Sequence, residues 1–509
     1  MTTLTAERPL VVPDDVYNQA LVRNVHPLDW ANPVPAGRYN LVVLGAGTAG
    51  LVSAVGAASL GARVAIIERH LLGGDCLNYG CVPSKALIRA ARAAAAAGGA
   101  ADLGVRPGGR PAIDFADVMS RLRAVRADIS HHDSAARLAG LGIDVFFGQA
   151  RFTSPETLEV DGRTLRFSRA VIATGARAAV PPIPGLADAG YLTNESVFSL
   201  TARPARLAVI GGGPIGCELA QAFRRLGSEV TLISDSPTLL PREDPDAAAI
   251  LQRVFEREGV RLVLDATVAR VERRTGSMET QVVVTRAGVD TTIAADELLV
   301  AVGRAPNVEG LDLDRAGVSA GPAGVQVDDR LRTTNRRIFA AGDVASPFKF
   351  THAADAMARI ALQNALFFGR KQASALVIPW ATYTDPEIAH VGLSARDAGD
   401  RAGVRTLTIP LADVDRARVD GESEGFARVH VDARGRILGA TLVSAHAGDL
   451  IGEMSLAMTA GLGLGTLSKT IHPYPTRAEV WKKLGDAWNR TKLTPRVRAL
   501  FEMMLRWRR

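Results

Sequence analysis

The apolar residues of this chain fall into short uncharged runs that stop on glycine and pass into stretches with helical spacing. In "LVVLGAGTAGLVSAVGAASLGA" a β-branched run ends at Leu44 and is followed by Gly45, Gly47 and Gly50. From Leu41 to Ala62 there is no charged residue, which meets the rough criterion of about 18 apolar residues for a membrane span. Five glycines lie inside the run, and the change from β-branched to small residues predicts strand, turn and helix instead. A second strand, "RVAIIE", ends at Glu68. The unit then recurs: "RLAVIGGGPIGCELAQAFRRLGSEVTLIS" predicts a strand, a turn at Gly211, Gly213 and Gly216, a helix, and a strand ending at Ser234. Shorter apolar runs stop in "AVIATGA" at Thr174 and Gly175, in "ELLVAVGRAPN" at Gly303, and in "RRIFAAGDVA" at Asp343. Strands alternating with helices predict an α/β protein with parallel sheets.

Composition narrows the partners. The chain has 509 residues, 47% hydrophobic and 22% charged, enough for several packed domains. Its net charge of +7 comes from 60 basic and 53 acidic residues. That excess is small and scattered, so no nucleic-acid partner is expected. Three cysteines make no disulfide framework, and "MTTLTAERPLVVPDD" has no apolar signal core, so a cytoplasmic location is expected.

G-x-G-x-x-G between a strand and a helix is a dinucleotide signature. The first glycine permits the tight turn, the second lets backbone approach a pyrophosphate, and the third lets helix and strand pack closely. An acid about 20 residues further on, here Glu68, is placed to hold ribose hydroxyls. Two such units imply two dinucleotides, or one dinucleotide and a flavin. The second unit has Ser234 followed by Asp235 in the acid's place, so NADH and NADPH both stay open.

"GGDCLNYGCVPSK", Gly73 to Lys85, carries the chemistry. Cys76 and Cys81 without neighbouring Cys or His ligands make a poor zinc site, and no metal ligands are assigned. Burial alone would not call for a glycine pair and a lysine. A redox-active dithiol fits best, with a helix start and Lys85 favouring thiolate.

With these motifs in order, the chain from about Tyr39 to Trp481 resembles the pyridine nucleotide–disulfide oxidoreductases, the family of dihydrolipoamide dehydrogenase, glutathione reductase and mercuric reductase. "GGDCLNYGCVPSK" is close to that family's active-site signature, and "ATYTDPEIAHVGL" resembles the start of its dimerisation domain. "GCELAQAFRRLG" and the "YPT" near the C-terminus look most like the mercuric-reductase branch. The resemblance implies two Rossmann-like domains, for FAD and NAD(P), and a C-terminal α+β dimerisation domain. It sets an N-terminal extension at 1–37, FAD-binding parts at 38–198 and 305–373, an NAD(P) domain at 199–304, a dimerisation domain at 374–485 and a basic tail at 486–509. FAD would lie along Gly45, Gly47, Gly50 and Glu68, with Asp343 at its ribityl chain, and NADPH or NADH along Gly211, Gly213 and Gly216. Gly74, Thr174, Gly175 and Gly303 would also belong to the cofactor-binding residues. Cys81 would face the flavin and Cys76 the substrate, and Lys85, near the flavin, would pair with Glu218. Electrons would pass from NAD(P)H through FAD and the dithiol to a small molecule or metal ion, in a homodimer.

Three departures qualify this. Thiol-handling members carry a histidine before Pro-Thr, paired with a glutamate; here Tyr474 precedes Pro475, with Glu479 in the glutamate's place. A phenol with pKa of about 10 is a poor base at neutral pH, which disfavours oxidation of a dithiol such as dihydrolipoamide. His472, two residues upstream, would project to the same side as Tyr474 if the segment is extended, as a displaced base or, more simply, a packing histidine. The last residues, "LTPRVRALFEMMLRWRR", lack the cysteine pair with which mercuric reductases receive the ion, and Cys217 reads as a small buried residue. Pro214 stands where thiol reductases often place a gating tyrosine. The tail could rest on an anionic membrane as a docked electron-transfer partner, although such a segment usually packs on its own protein.

Overall fold

The computed structural model describes residues 10–35, 37–105, 112–273 and 279–509. The chain divides into two compact units, Met1–Gly211 with Leu219–Ile233 and Ala266–Leu376, and Gly212–Glu218 with Ser234–Asp265 and Val377–Arg509.

The first unit begins with helix α1 (Val16–Val25), capped by the Asp15 carboxylate, which accepts the N–H groups of Tyr17 at 3.1 Å and Asn18 at 2.8 Å. Its buried stripe, Asn18, Leu21 and Val25, follows helical spacing. Strand β1 (Arg38–Leu44), helix α2 (Thr48–Ser59) and strand β2 (Val64–Glu68) form the first glycine unit. A short helix α3 (Gly74–Asn78), a long helix α4 (Cys81–Gly99) and its neighbour α5 (Phe115–Ile129) follow. Strands β3 (Ile143–Phe147), β4 (Arg151–Ser154), β5 (Thr157–Val160) and β6 (Arg163–Ile172) complete a sheet of order β3-β2-β1-β6-β5-β4. The pairs β3–β2, β2–β1 and β1–β6 are parallel and the last two are antiparallel. Strands β1 and β2 are buried almost throughout, which is why they read as continuous apolar runs rather than alternating ones.

The recurrent unit gives strand β7 (Arg206–Ile210), helix α6 (Pro214–Arg225) and strand β8 (Glu229–Ile233). An antiparallel meander, β9 (Thr267–Arg273), β10 (Thr280–Arg286) and β11 (Val289–Ala295), leads to β12 (Glu297–Val300), which lies parallel to β7 opposite β8. Strand β13 (Ile338–Ala340) then returns to pair with β6 of the first sheet, ahead of helix α7 (Thr351–Leu366).

In the second unit an antiparallel sheet is built from β14 (Pro379–Thr382), β15 (Glu387–Gly392), β16 (Arg405–Pro410), β17 (Phe426–Val431) and β18 (Ile437–Ser444), in the order β14-β15-β18-β17-β16. Helix α8 (Ala447–Thr459) and helix α9 (Glu479–Thr491), with Trp481 and Trp488, close its core. Helix α10 (Pro495–Trp507), capped by Thr494, buries none of its residues. No helix among the described residues is long and apolar enough to cross a membrane. The uncharged run Leu41–Ala62 is β1, α2 and the turn between them.

The residues ahead of β1 are part of the first core. Val11, Leu21 and Val25 pack in one cluster with Leu41, Val43, Leu71 and Leu72. Trp30 donates from its indole nitrogen to the Val145 carbonyl at 3.1 Å, and Asn32 bonds both the N–H (2.7 Å) and the C=O (2.8 Å) of Phe147. The outer strand β3 is thus covered by chain that precedes the sheet, which protects an edge otherwise open to pairing.

Leu21→Ala is expected to lower unfolding free energy by about 2–5 kcal/mol, because Leu21 is fully buried. Leu500→Ala on α10 is expected to stay within about 0.5 kcal/mol. Urea titrations of both variants check the contrast.

Candidate active site

Cys76 sits in α3 and Cys81 opens α4, and both are free thiols. The two sulfurs share a hydrogen bond, and Cys81 Sγ lies 3.4 Å from the hydroxyl of Thr351. Thr351 is the first residue of α7, so Cys81 stands at its own helix start and beside another. The bond from Cys76, the Thr351 hydroxyl and the charge of Lys85 hold the Cys81 thiol below the ordinary thiol range, against the opposing effect of burial. The same bond, with burial, pushes Cys76 up. The pair is therefore polarised: Cys81 ionises first and Cys76 keeps its proton. Cys81, Val82 and Lys85 line a hollow of about 380 Å³ with Val125 and Ile129 of α5, and Arg89 and Arg121 add two guanidinium groups to it.

The turn carrying the thiols is braced on several sides. Gly73 donates to the Ala46 carbonyl at 2.9 Å. A Cβ on Gly74 would come within 2.5 Å of Gly47 Cα, so only glycine allows this approach. Asp75 pairs with Arg304 at 3.2 Å and accepts from Asn194 at 2.9 Å. Arg304 also reaches Asp343 at 3.6 Å, which joins three of the short motifs through one half-buried guanidinium. Burial pushes Asp343 up, while Arg304 and Lys349 act the other way.

The first glycine turn fits a dinucleotide. Gly45 has φ +95°, and a Cβ there would meet the Ala173 carbonyl oxygen at 2.5 Å. Glu68 accepts the N–H of Ala46 at 2.8 Å and of His70 at 2.9 Å. One bond per oxygen leaves lone pairs for ribose hydroxyls. Burial raises Glu68, and those two N–H groups offset part of the rise. Thr174 donates to the Asn307 carbonyl at 2.6 Å, and Gly175 accepts from the Asn307 N–H at 2.9 Å. In the second turn Gly211 has φ +118°, with the Ala301 carbonyl oxygen 2.4 Å from a would-be Cβ. Gly303 keeps φ +136° and accepts from the Ala179 N–H at 2.9 Å.

Within the second unit Glu218 is buried, and its Oε1 accepts the Tyr383 N–H at 2.9 Å. Gly216 and Cys217 are buried beside it, and burial pushes the Cys217 thiol up. His472 and Tyr474 do not share a side. The imidazole of His472 is buried with Nε2 3.0 Å from Glu453 Oε1, whereas Tyr474 is 71% exposed and donates to Asp415 at 2.9 Å. The expectation of a common face fails because the segment is not a regular strand with period two, and each side chain has its own carboxylate partner. Glu479 pairs with Lys483 at 3.4 Å. The Asp415 contact raises Tyr474 further above its ordinary value.

Residues 39–358 match the family described as pyridine nucleotide-disulphide oxidoreductase, and residues 378–484 match its dimerisation domain. The chain belongs to this family. It is a flavoprotein disulfide oxidoreductase that uses FAD and NAD(P)H. A mercuric reductase of Bacillus cereus is 37% identical over 87% of this chain and 70% of its own length. A dihydrolipoyl dehydrogenase of Thermus scotoductus is 35% identical over 88% and 97%. Among solved structures, the HOCl-induced flavoprotein disulfide reductase RclA of Escherichia coli superposes with a TM-score of 0.79 at 31% identity, over 88% of this chain and 99% of that one.

For a member of this family, sequence reasoning missed four supporting residues. Asp75 and Arg304 lie inside quoted motifs, where a buried-charge argument (an arginine beside glycine at a strand end) could have flagged them. Thr351 and Arg126 carry no local signal, because their importance comes from what they touch.

Lys85→Met is expected to move the pH midpoint of Cys81 alkylation by iodoacetamide upward, towards the ordinary thiol range. The thiolate is favoured by the lysine cation, and a neutral side chain of similar length removes that term. Rate profiles of the reduced enzyme between about pH 5 and 10 check it.

Proposed function

We propose that the enzyme works as an NAD(P)H-dependent reductase of a small acceptor, with Cys81 as the thiol next to the flavin and Cys76 as the thiol that meets the acceptor. The observation that carries this reading is the setting of the pair: Cys81 opens α4 with its sulfur 3.4 Å from the Thr351 hydroxyl and lines one hollow with Lys85, and Cys76 lies in the adjoining α3. Gly45, Gly47, Gly50, Glu68, Gly74, Thr174, Gly175 and Asp343 would hold FAD, and Gly211, Gly213, Gly216 and Gly303 the nicotinamide nucleotide. When bound, FAD supplies the exchange between a hydride donor and a dithiol. Two electrons and two protons convert the Cys76–Cys81 disulfide to two thiols. Cys81 releases its proton, and Lys85 balances the charge.

The acceptor would enter through the hollow beside α4 and α5. Arg89 and Arg121 favour one that carries negative charge, so a metal ion would arrive as an anionic thiolate complex. The proton path argues for reduction over dihydrolipoamide oxidation. Asp415 raises Tyr474, so its phenol is a poor proton acceptor at neutral pH, and the His472 imidazole is turned to Glu453. The dimerisation domain supports a homodimer in which one subunit's C-terminal segment would complete its partner's site.

Anaerobic addition of one equivalent of NADPH or NADH is expected to produce a long-wavelength thiolate–flavin band. Cys81→Ser should abolish the band and turnover, and a Cys81→Ser enzyme with unchanged turnover would refute the assignment. Dihydrolipoamide oxidation should be slow beside NAD(P)H-dependent reduction of a disulfide or a Hg(II)–thiolate complex. Tyr474→His should raise dihydrolipoamide oxidation about 10²-fold at neutral pH, the lower end of what a positioned base contributes.

A further inference from the structure

The redox turn is held from the side of the chain that precedes the sheet. Asn78, the last residue of α3, lies between Cys76 and Cys81. Its side-chain amide donates to the carbonyls of Leu72 at 3.0 Å and Gly74 at 2.8 Å, which closes the turn on itself. Its own carbonyl accepts from Arg126 Nη1 at 2.8 Å. Arg126 comes from α5 and is 2% exposed; its Nη2 donates to Asn18 Oδ1 at 2.5 Å. Asn18, also 2% exposed, is on α1, and its amide donates to the Pro13 carbonyl at 2.7 Å. The cap of α1, Asp15, takes Arg123 at 2.5 Å. A second strand of contacts joins Val25 to the start of the turn, through the Leu72 N–H at 3.1 Å.

A chain of fully buried hydrogen bonds thus runs from α1 through Arg126 to the backbone between the two sulfurs. Buried polar groups are costly unless satisfied, so a guanidinium placed here with one acceptor on the extension and one on the redox turn couples the two rigidly. The coupling bears on chemistry because the sulfurs must approach to bonding distance in the disulfide and separate in the dithiol. Only Tyr79 and Gly80 lie between the held carbonyl and Cys81. Whichever of the two states suits the held carbonyl better is favoured at equilibrium. Tertiary restraint of this kind is what tunes a dithiol's redox poise.

We propose that Asn18 and Arg126 are positioning residues that set the disulfide–dithiol equilibrium of Cys76 and Cys81, with the segment before β1 acting as a strap on the redox turn. The proposal rests on the reading of Cys76 and Cys81 as the redox pair. Reduction takes two electrons and two protons from NAD(P)H through the bound flavin and breaks the S–S bond. The strap changes no atom in that step; it fixes the backbone from which both sulfurs project.

The test uses the FAD-loaded, full-length enzyme equilibrated in glutathione redox buffers, with the thiols trapped and counted. Asn18→Ala should shift the equilibrium constant for Cys76–Cys81 about tenfold, equivalent to about 30 mV for a two-electron couple. Asn18→Asp, which keeps an acceptor oxygen for Arg126, should return it to within about twofold of the parent enzyme. Asn24→Ala is the control. It cuts another contact of the extension, the 2.8 Å bond to Ser130, and should lower the melting temperature while leaving the equilibrium constant in place. If Asn18→Ala does not accumulate folded, Asn18→Ser is the milder cut for the same measurement. A melting-temperature loss in Asn18→Ala or Asn18→Ser with an unmoved constant would overturn the strap. A parent enzyme whose two thiols never exchange with glutathione would instead overturn the redox-pair reading.

Discussion

The site depends on a place where two backbone turns touch with no side chain between them. Gly74 opens the redox turn and Gly47 belongs to the first glycine turn, and a single added carbon at Gly74 would lie 2.5 Å from the other's Cα. The Gly73 N–H donates to the Ala46 carbonyl at the same place. This contact fixes how closely the turn carrying the thiols stands to the first glycine turn, since one rigid piece of backbone positions both. Side chains around it tune the site, but their effect presupposes the approach.

Around that contact the charges are arranged by sharing. Arg304 stands between Asp75 and Asp343, and Cys81 stands between Lys85 and the start of α7. Each arrangement joins segments that are far apart in the chain, and in the first one cation serves two acids. Buried charges keep such partners because desolvation outweighs any unpaired alternative. The two thiols, and Asp343 across Arg304 from the redox turn, accordingly depart from their ordinary ionisation: Cys81 down, Cys76 and Asp343 up.

The alternation of apolar runs and glycine turns was legible in the letters, and it appears as β1–α2–β2 and β7–α6–β8. So were the two thiols and the family they point to. The extension at 1–37 was legible only as a segment ahead of the first strand, with no role assigned to it. Its importance lies in Trp30 and Asn32 on the outer strand and Asn18 on Arg126, and none of these contacts leaves a periodic trace. The placing of His472 and Tyr474 on one face assumed an extended strand, and the irregular segment with separate carboxylate partners, Glu453 and Asp415, parts them.

By itself the sequence determined which elements form, where glycine lets backbone come close, and how many positions separate the thiols. Those properties depend on steric limits within a few residues of each other. The tertiary structure alone decided which hydroxyl meets Cys81, which guanidinium holds Asn78 and which acids share Arg304. The sulfur and Thr351 are 270 positions apart, and electrostatic and hydrogen-bond energies act through space over a few ångströms, without regard to that separation.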